Sequence, residues 1–119
     1  MDKQQTFDKV VTHLLTQNEK AQDEYDCLYR HPLSGNTCAV GCLISEEMYH
    51  ESMEYTPLKD LILDHPELRP IIEPQLDLLT ELQKVHDSFD VSRWPSELVE
   101  LADKQILETP EILKKAVAL

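Results

Sequence analysis

Cys27, His31, Cys38 and Cys42 form the pattern C-x3-H-x6-C-x3-C, and thiolates and an imidazole are the donor types of a structural zinc site. The spacing argues against that chemistry. Zinc ribbons and knuckles mostly use C-x2-C pairs, whereas Cys38 and Cys42 stand one helical turn apart among Val40, Leu43 and Ile44. In apolar company a free cysteine behaves as a small hydrophobe, so the three cysteines are read as packing groups and no metal or other cofactor is expected. The alternative is a cysteine-based metal-binding module or enzyme built on Cys27, Cys38 and Cys42. Nucleophilic use of a thiol requires a nearby histidine, cation or helix N-terminus to lower its pKa, and Cys38 alone falls near an expected helix start.

Other catalytic patterns are weaker. His13, His31, His50, His65 and His86 form no HExxH or comparable pair on one helical face. The run His86-Asp87-Ser88-Phe89-Asp90 offers oxygens near a helix end but lacks the alternating acids and the glycine of a calcium loop. Gly35 and Gly41 belong to no phosphate-cradling loop, and no serine sits in a GxSxG elbow. No catalytic residue is assigned from the sequence.

Charge is the second strong signal. The 119 residues carry a net charge of -12, from 23 acids against 11 lysines and arginines. Between Ser45 and Asp90 twelve acids face only Lys59, Arg69 and Lys84. Such a surface repels phosphate backbones and anionic lipid, which excludes direct nucleic-acid binding and membrane association as expectations. Most such surfaces only solubilise the fold; the alternative is docking on a basic protein surface, including a nucleic-acid-binding one, with Glu46, Glu47, Glu51, Glu54, Asp60 and Asp64 as the candidate partner-binding residues. No apolar run approaches the roughly 20 residues of a membrane span, and MDKQQTFDKV lacks the apolar core of a secretion signal. With an odd number of cysteines, a reducing cytoplasmic setting is expected.

The elements that must carry these groups read as helices. Phe7, Val10, Val11, Leu14 and Leu15 share one side of a first helix from about Lys3 to Asn18. Tyr25 to Arg30 alternates like a short strand, and Asn36 or Thr37 is placed to cap a helix over Cys38 to Ile44. Ser45 with Glu46 and Glu47 marks a further short start, and Thr56-Pro57 caps a helix that runs to about Asp64. Pro66, Pro70 and Pro74 exclude one continuous helix, leaving short turns with Leu68 and Ile71 inward. The strongest apolar stripe, Leu76, Leu79, Leu82, Val85 and Phe89, predicts a central helix from about Pro74 to Asp87. After the turn at Ser92 to Ser96, Trp94, Leu98, Leu101, Ala102 and Ile106 point inward, and Thr109-Pro110-Glu111 starts a last helix with Ile112, Leu113, Ala116 and Val117 on its apolar side. The expected fold is all-α: a compact single acidic domain over residues 1–119, of about six or seven helices, several short, with room for a minimal β-hairpin near residues 25–40.

Cys27-Leu28-Tyr29-Arg30, a glycine turn at Gly35, Thr37-Cys38-Ala39-Val40-Gly41-Cys42-Leu43-Ile44 and the acidic and aromatic Glu46-Glu47-Met48-Tyr49 resemble a family of small proteins encoded in bacteriophage genomes and prophages. Met53-Glu54 and His86-Asp87-Ser88-Phe89-Asp90 extend the likeness, which spans about Phe7 to Trp94. This chain departs from the family pattern at Ser45, where relatives tend to have proline, and at His31-Pro32, where a shorter glycine-rich link is expected. The resemblance implies a phage accessory product in the cytoplasm of an infected bacterium and is silent about any enzymatic activity, so no enzyme is expected from it. Combined with the charge, the expectation is a stoichiometric binder of a host or defence protein with a basic surface. The oligomeric state is not legible in the sequence.

Overall fold

The computed structural model describes residues 1–118. Six α-helices follow one another: α1 (Lys3–Gln17), α2 (Leu58–Asp64), α3 (Arg69–Ile72), α4 (Leu76–Ser88), α5 (Trp94–Lys104) and α6 (Glu111–Val117). Single 3-10 turns punctuate them, and no extended strand occurs among the described residues. The all-α expectation holds, with one core that joins α1, the cysteine segment and every later helix.

α1 begins where Asp2 and Gln5 cap each other: the Gln5 N–H donates to the Asp2 carboxylate at 2.8 Å, and the Asp2 N–H donates to Gln5 Oε1 at 2.9 Å. It ends at Asn18, whose left-handed backbone (φ 53°) is one that asparagine tolerates. Phe7, Val10, Val11 and Leu14 are fully buried as their spacing requires, against α4, α5 and α6. The three prolines at 66, 70 and 74 each occupy the first turn of a new short helical piece, where no intrahelical N–H is lost. Leu68 and Ile72 are buried there, and Ile71 is half-buried. Leu78, Leu79, Leu82 and Val85 of α4 meet Trp94, Leu98, Leu101 and Ala102 of α5 at the centre.

Several local expectations are corrected. The helix expected over Cys38 to Ile44 is only a 3-10 turn at Gly41–Leu43. Its first residues are committed elsewhere: Arg30 and Thr37 form an isolated antiparallel bridge, and the Cys38 N–H donates to the Tyr29 carbonyl at 3.3 Å. The hairpin near residues 25–40 is thus reduced to bridges, turning through Gly35 at φ +76°. Ser45 opens a single turn in place of a helix, accepting the Met48 N–H on its hydroxyl at 3.3 Å. Thr56 does not cap α2, which starts at Leu58 after Pro57, because the Thr56 carbonyl accepts the Tyr29 hydroxyl and its own side chain bonds back to Glu54. Val117 and Ile106 point outward, and Ile106 is 93% exposed.

Two backbone positions have measurable consequences. A β-carbon on Gly41 would sit 2.0 Å from the Tyr29 carbonyl oxygen, so only glycine lets this turn lie against the Tyr29 backbone. Ile106 closes α5 with a left-handed backbone (φ 57°), a conformation that costs an L-residue roughly 1–2 kcal/mol and a β-branched one especially. Gly41→Ala is therefore expected to destabilise the protein by about 3 kcal/mol, at the upper end of overpacking costs. Ile106→Gly is expected to stabilise it by about 0.5–1 kcal/mol, since strain is relieved and no burial is lost while glycine adds unfolded-state entropy. Urea denaturation of the two variants reads both signs.

Candidate functional site

The one group of three metal-type side chains that converges among the described residues is Cys27, His86 and Asp87, with donor atoms within 4.8 Å of one another. The four sequence candidates do not converge. His31 turns its Nδ1 to the N–H groups of Leu33 and Ser34 in an exposed loop, Cys38 is fully buried with its sulfur accepting the Gly41 N–H at 3.2 Å, and Cys42 donates to the Ala39 carbonyl at 3.1 Å.

His86 is carried inward by α4, one turn after Leu82 and two after Leu79, and its ring lies 5.5 Å from Trp94 at 30°. Its Nε2 accepts the Ala21 N–H at 3.1 Å, so the neutral ring holds its proton on Nδ1 and donates it to Asp87 Oδ1 at 2.6 Å. Gln83 bridges outward from the same carboxylate, donating to Asp87 at 2.9 Å and accepting the Val40 N–H at 3.2 Å. This polar knot ties the loop at Ala21, the cysteine segment and α4 together.

The same hydrogen bonds oppose a metal. A histidine ligand normally donates from its other nitrogen, whereas the Ala21 N–H requires His86 Nε2 to accept. Two ligands of one zinc ion at about 2.0–2.1 Å stand roughly 3.3 Å apart in a tetrahedron, and His86 Nδ1 and Asp87 Oδ1 are far closer. Nor does the cluster activate a nucleophile. Burial, reinforced by the negative charge of Asp87, pushes the Cys27 thiol up to about 12, and burial pushes Cys38 and Cys42 to about 12 as well. A cavity of about 240 Å³ adjoins Cys27, Cys38 and Asp87, and its thiols stay protonated at neutral pH.

The acidic candidates take two different places. Glu46, Glu47, Glu51, Asp60 and Asp64 are exposed, and of these only Glu46 has an ion pair among the described residues, a long one of 3.8 Å to Arg30. Glu54 is half-buried and faces inward. One of its oxygens accepts the Tyr29 N–H at 2.8 Å, and the other accepts the Arg30 N–H at 3.0 Å and the Tyr49 hydroxyl at 2.6 Å. Glu54 therefore fixes the acidic segment to the cysteine segment, and its free surface is small.

Beside this clamp lies an open groove of about 680 Å³, whose lining includes Arg30, Pro32, Leu33, Tyr49, Glu51 and Tyr55. The Arg30 guanidinium lies 5.4 Å from the centre of the Tyr49 ring and donates to the Ile44 carbonyl at 3.3 Å. Leu33 is 91% exposed and Tyr55 62% exposed. The Tyr55 hydroxyl donates to Asp23, and Tyr55 itself has a left-handed backbone (φ 61°). Sequence reading passed over Leu33 and Tyr55 because neither belongs to a periodic stripe; His86 was recoverable from its spacing to Leu79 and Leu82.

The raised thiols make stability depend on pH in a defined direction. Cysteines in the unfolded chain ionise near 8.5, while the folded ones hold their protons to about 12. Their contribution is fully present below about pH 8.5 and is lost as pH rises toward 12. Urea midpoints are expected to fall across that alkaline window, and to fall less in a Cys38→Ala background.

No protein-family model, no curated protein and no solved structure matches the chain.

Proposed function

We propose that the protein works by stoichiometric binding to a partner protein with a basic surface, such as the nucleic-acid channel of a host or defence enzyme. The observation that carries this reading is the exposed charge at Glu46, Glu47, Glu51, Asp60 and Asp64, of which only Glu46 has an ion pair among the described residues, a long one to Arg30. Glu46, Glu47 and Glu51 flank Tyr49 and Glu54, which are tied to each other and to the Tyr29 and Arg30 backbone, and Asp60 and Asp64 stand on α2, so these carboxylates project from ordered backbone. No described helix is long and apolar enough to cross a membrane, and the excess of acids disfavours nucleic acid as a direct ligand. The phage setting rests on the family resemblance alone. Long-range attraction between such a surface and a cationic channel accelerates encounter and is screened by salt.

The test uses immobilised full-length protein to capture a partner from lysate of an infected bacterial culture, followed by kinetics with the purified partner. The association rate is expected to fall at least about tenfold from low to high salt. A combined Glu46→Gln, Glu47→Gln, Glu51→Gln, Asp60→Asn, Asp64→Asn variant, which leaves Glu54 intact, is expected to lose most of that dependence. A complex whose rate ignores both salt and these substitutions overturns the proposal.

A further inference from the structure

We infer that the groove between Leu33 and Tyr55 is the socket for an extended lysine- or arginine-bearing segment of the partner protein, anchored by an apolar side chain. This deepens the binding reading above and rests on it, since that reading supplies a basic partner but not a place where specificity is set.

Three separate observations meet at the groove. Its walls hold two side chains that the fold had no need to expose: Leu33 in the exposed loop, and Tyr55, whose hydroxyl reaches Asp23 at the same groove. Exposed apolar groups gathered at a concave place are the usual mark of a contact surface, and tyrosine is among the residues that most often dominate binding energy. Secondly, Tyr55 adopts its left-handed backbone while presenting its ring to solvent, so strain is retained at a position where the core gains nothing from it. Thirdly, the local charge is negative. Asp23, Glu51 and Glu54 line the groove with Arg30, and the Arg30 guanidinium is already directed at the Ile44 carbonyl, the Tyr49 ring and Glu46.

Charge complementarity selects the occupant. An apolar anchor fills the space between Leu33 and Tyr55, and flanking lysines or arginines meet Asp23 and Glu51 at the rim. A second copy of this chain is a poor occupant, because each copy brings a net charge of -12.

The experiment titrates isotope-labelled full-length protein with short synthetic peptides and follows backbone amide shifts. One peptide alternates lysine with leucine, one alternates lysine with serine, and one alternates glutamate with leucine. The lysine/leucine peptide is expected to shift the amides of Arg30, Leu33, Tyr49 and Tyr55 saturably, with at least about tenfold higher affinity than either other peptide. Leu33→Ser, at a side chain the core does not use, is expected to weaken it about tenfold, while Val117→Ser at another exposed apolar position leaves it unchanged. The inference is overturned if the lysine/leucine and lysine/serine peptides bind equally or shift only the exposed acidic segment, a result that leaves charge-driven binding standing. It is also overturned if the groove amides shift with protein concentration alone, which assigns the groove to self-association. If no lysine peptide binds at low salt, both the groove and the electrostatic reading fall.

Discussion

The carbonyl of Tyr29 lies against the turn at Gly41 with no room for a β-carbon between them, and this approach sets how the cysteine segment packs on itself. Where the two stretches of backbone touch, Cys38 is fully buried, and the Tyr29 and Arg30 N–H groups have no backbone acceptor among the described residues. Those two donors then need an acceptor. Glu54 supplies it with both oxygens, which brings the acidic segment alongside and forms one wall of the groove. A single steric constraint thus links the cysteine segment to the surface through which the protein is proposed to bind.

A second polar tie works from the other side. The loop around Ala21 is held by the His86 imidazole, and the proton on that ring is held by Asp87. A thiol, an imidazole and a carboxylate in one place resemble catalytic equipment, yet each is already satisfied or kept protonated by its neighbours. Burial and the Asp87 charge act on Cys27 in the direction opposite to nucleophile activation. Hydrogen-bonded polar groups inside a small core specify how loops pack, and here they fix long irregular segments that have no helix of their own.

The separation between interior chemistry and surface charge shapes the functional reading. The cluster around buried His86 ties irregular chain to α4, while Glu47, Glu51, Asp60 and Asp64 have no ion pair among the described residues and Leu33 and Tyr55 stay exposed, Tyr55 through a hydroxyl that bonds Asp23. Rigid support beneath an exposed contact surface lowers the ordering cost of association.

Helical periodicity alone determined α1, α4 and α5 and their inward faces, because the spacing of Phe7 to Leu14, Leu79 to Val85 and Trp94 to Ala102 admits one buried side. The prolines at 66, 70 and 74 likewise marked local starts, since their missing N–H is tolerated only there. Of the candidate site, the exposed carboxylates were legible as charge, but the inward turn of Glu54 was not. The failures share one cause. Cys27, His31, Cys38 and Cys42 are neighbours in sequence and diverge in space, whereas His86 and Ala21 are distant in sequence and share a hydrogen bond of 3.1 Å. Local pattern reports which face of a helix is apolar; only the packing of irregular chain against that helix decides which polar groups find partners, and hence which are left to meet another molecule.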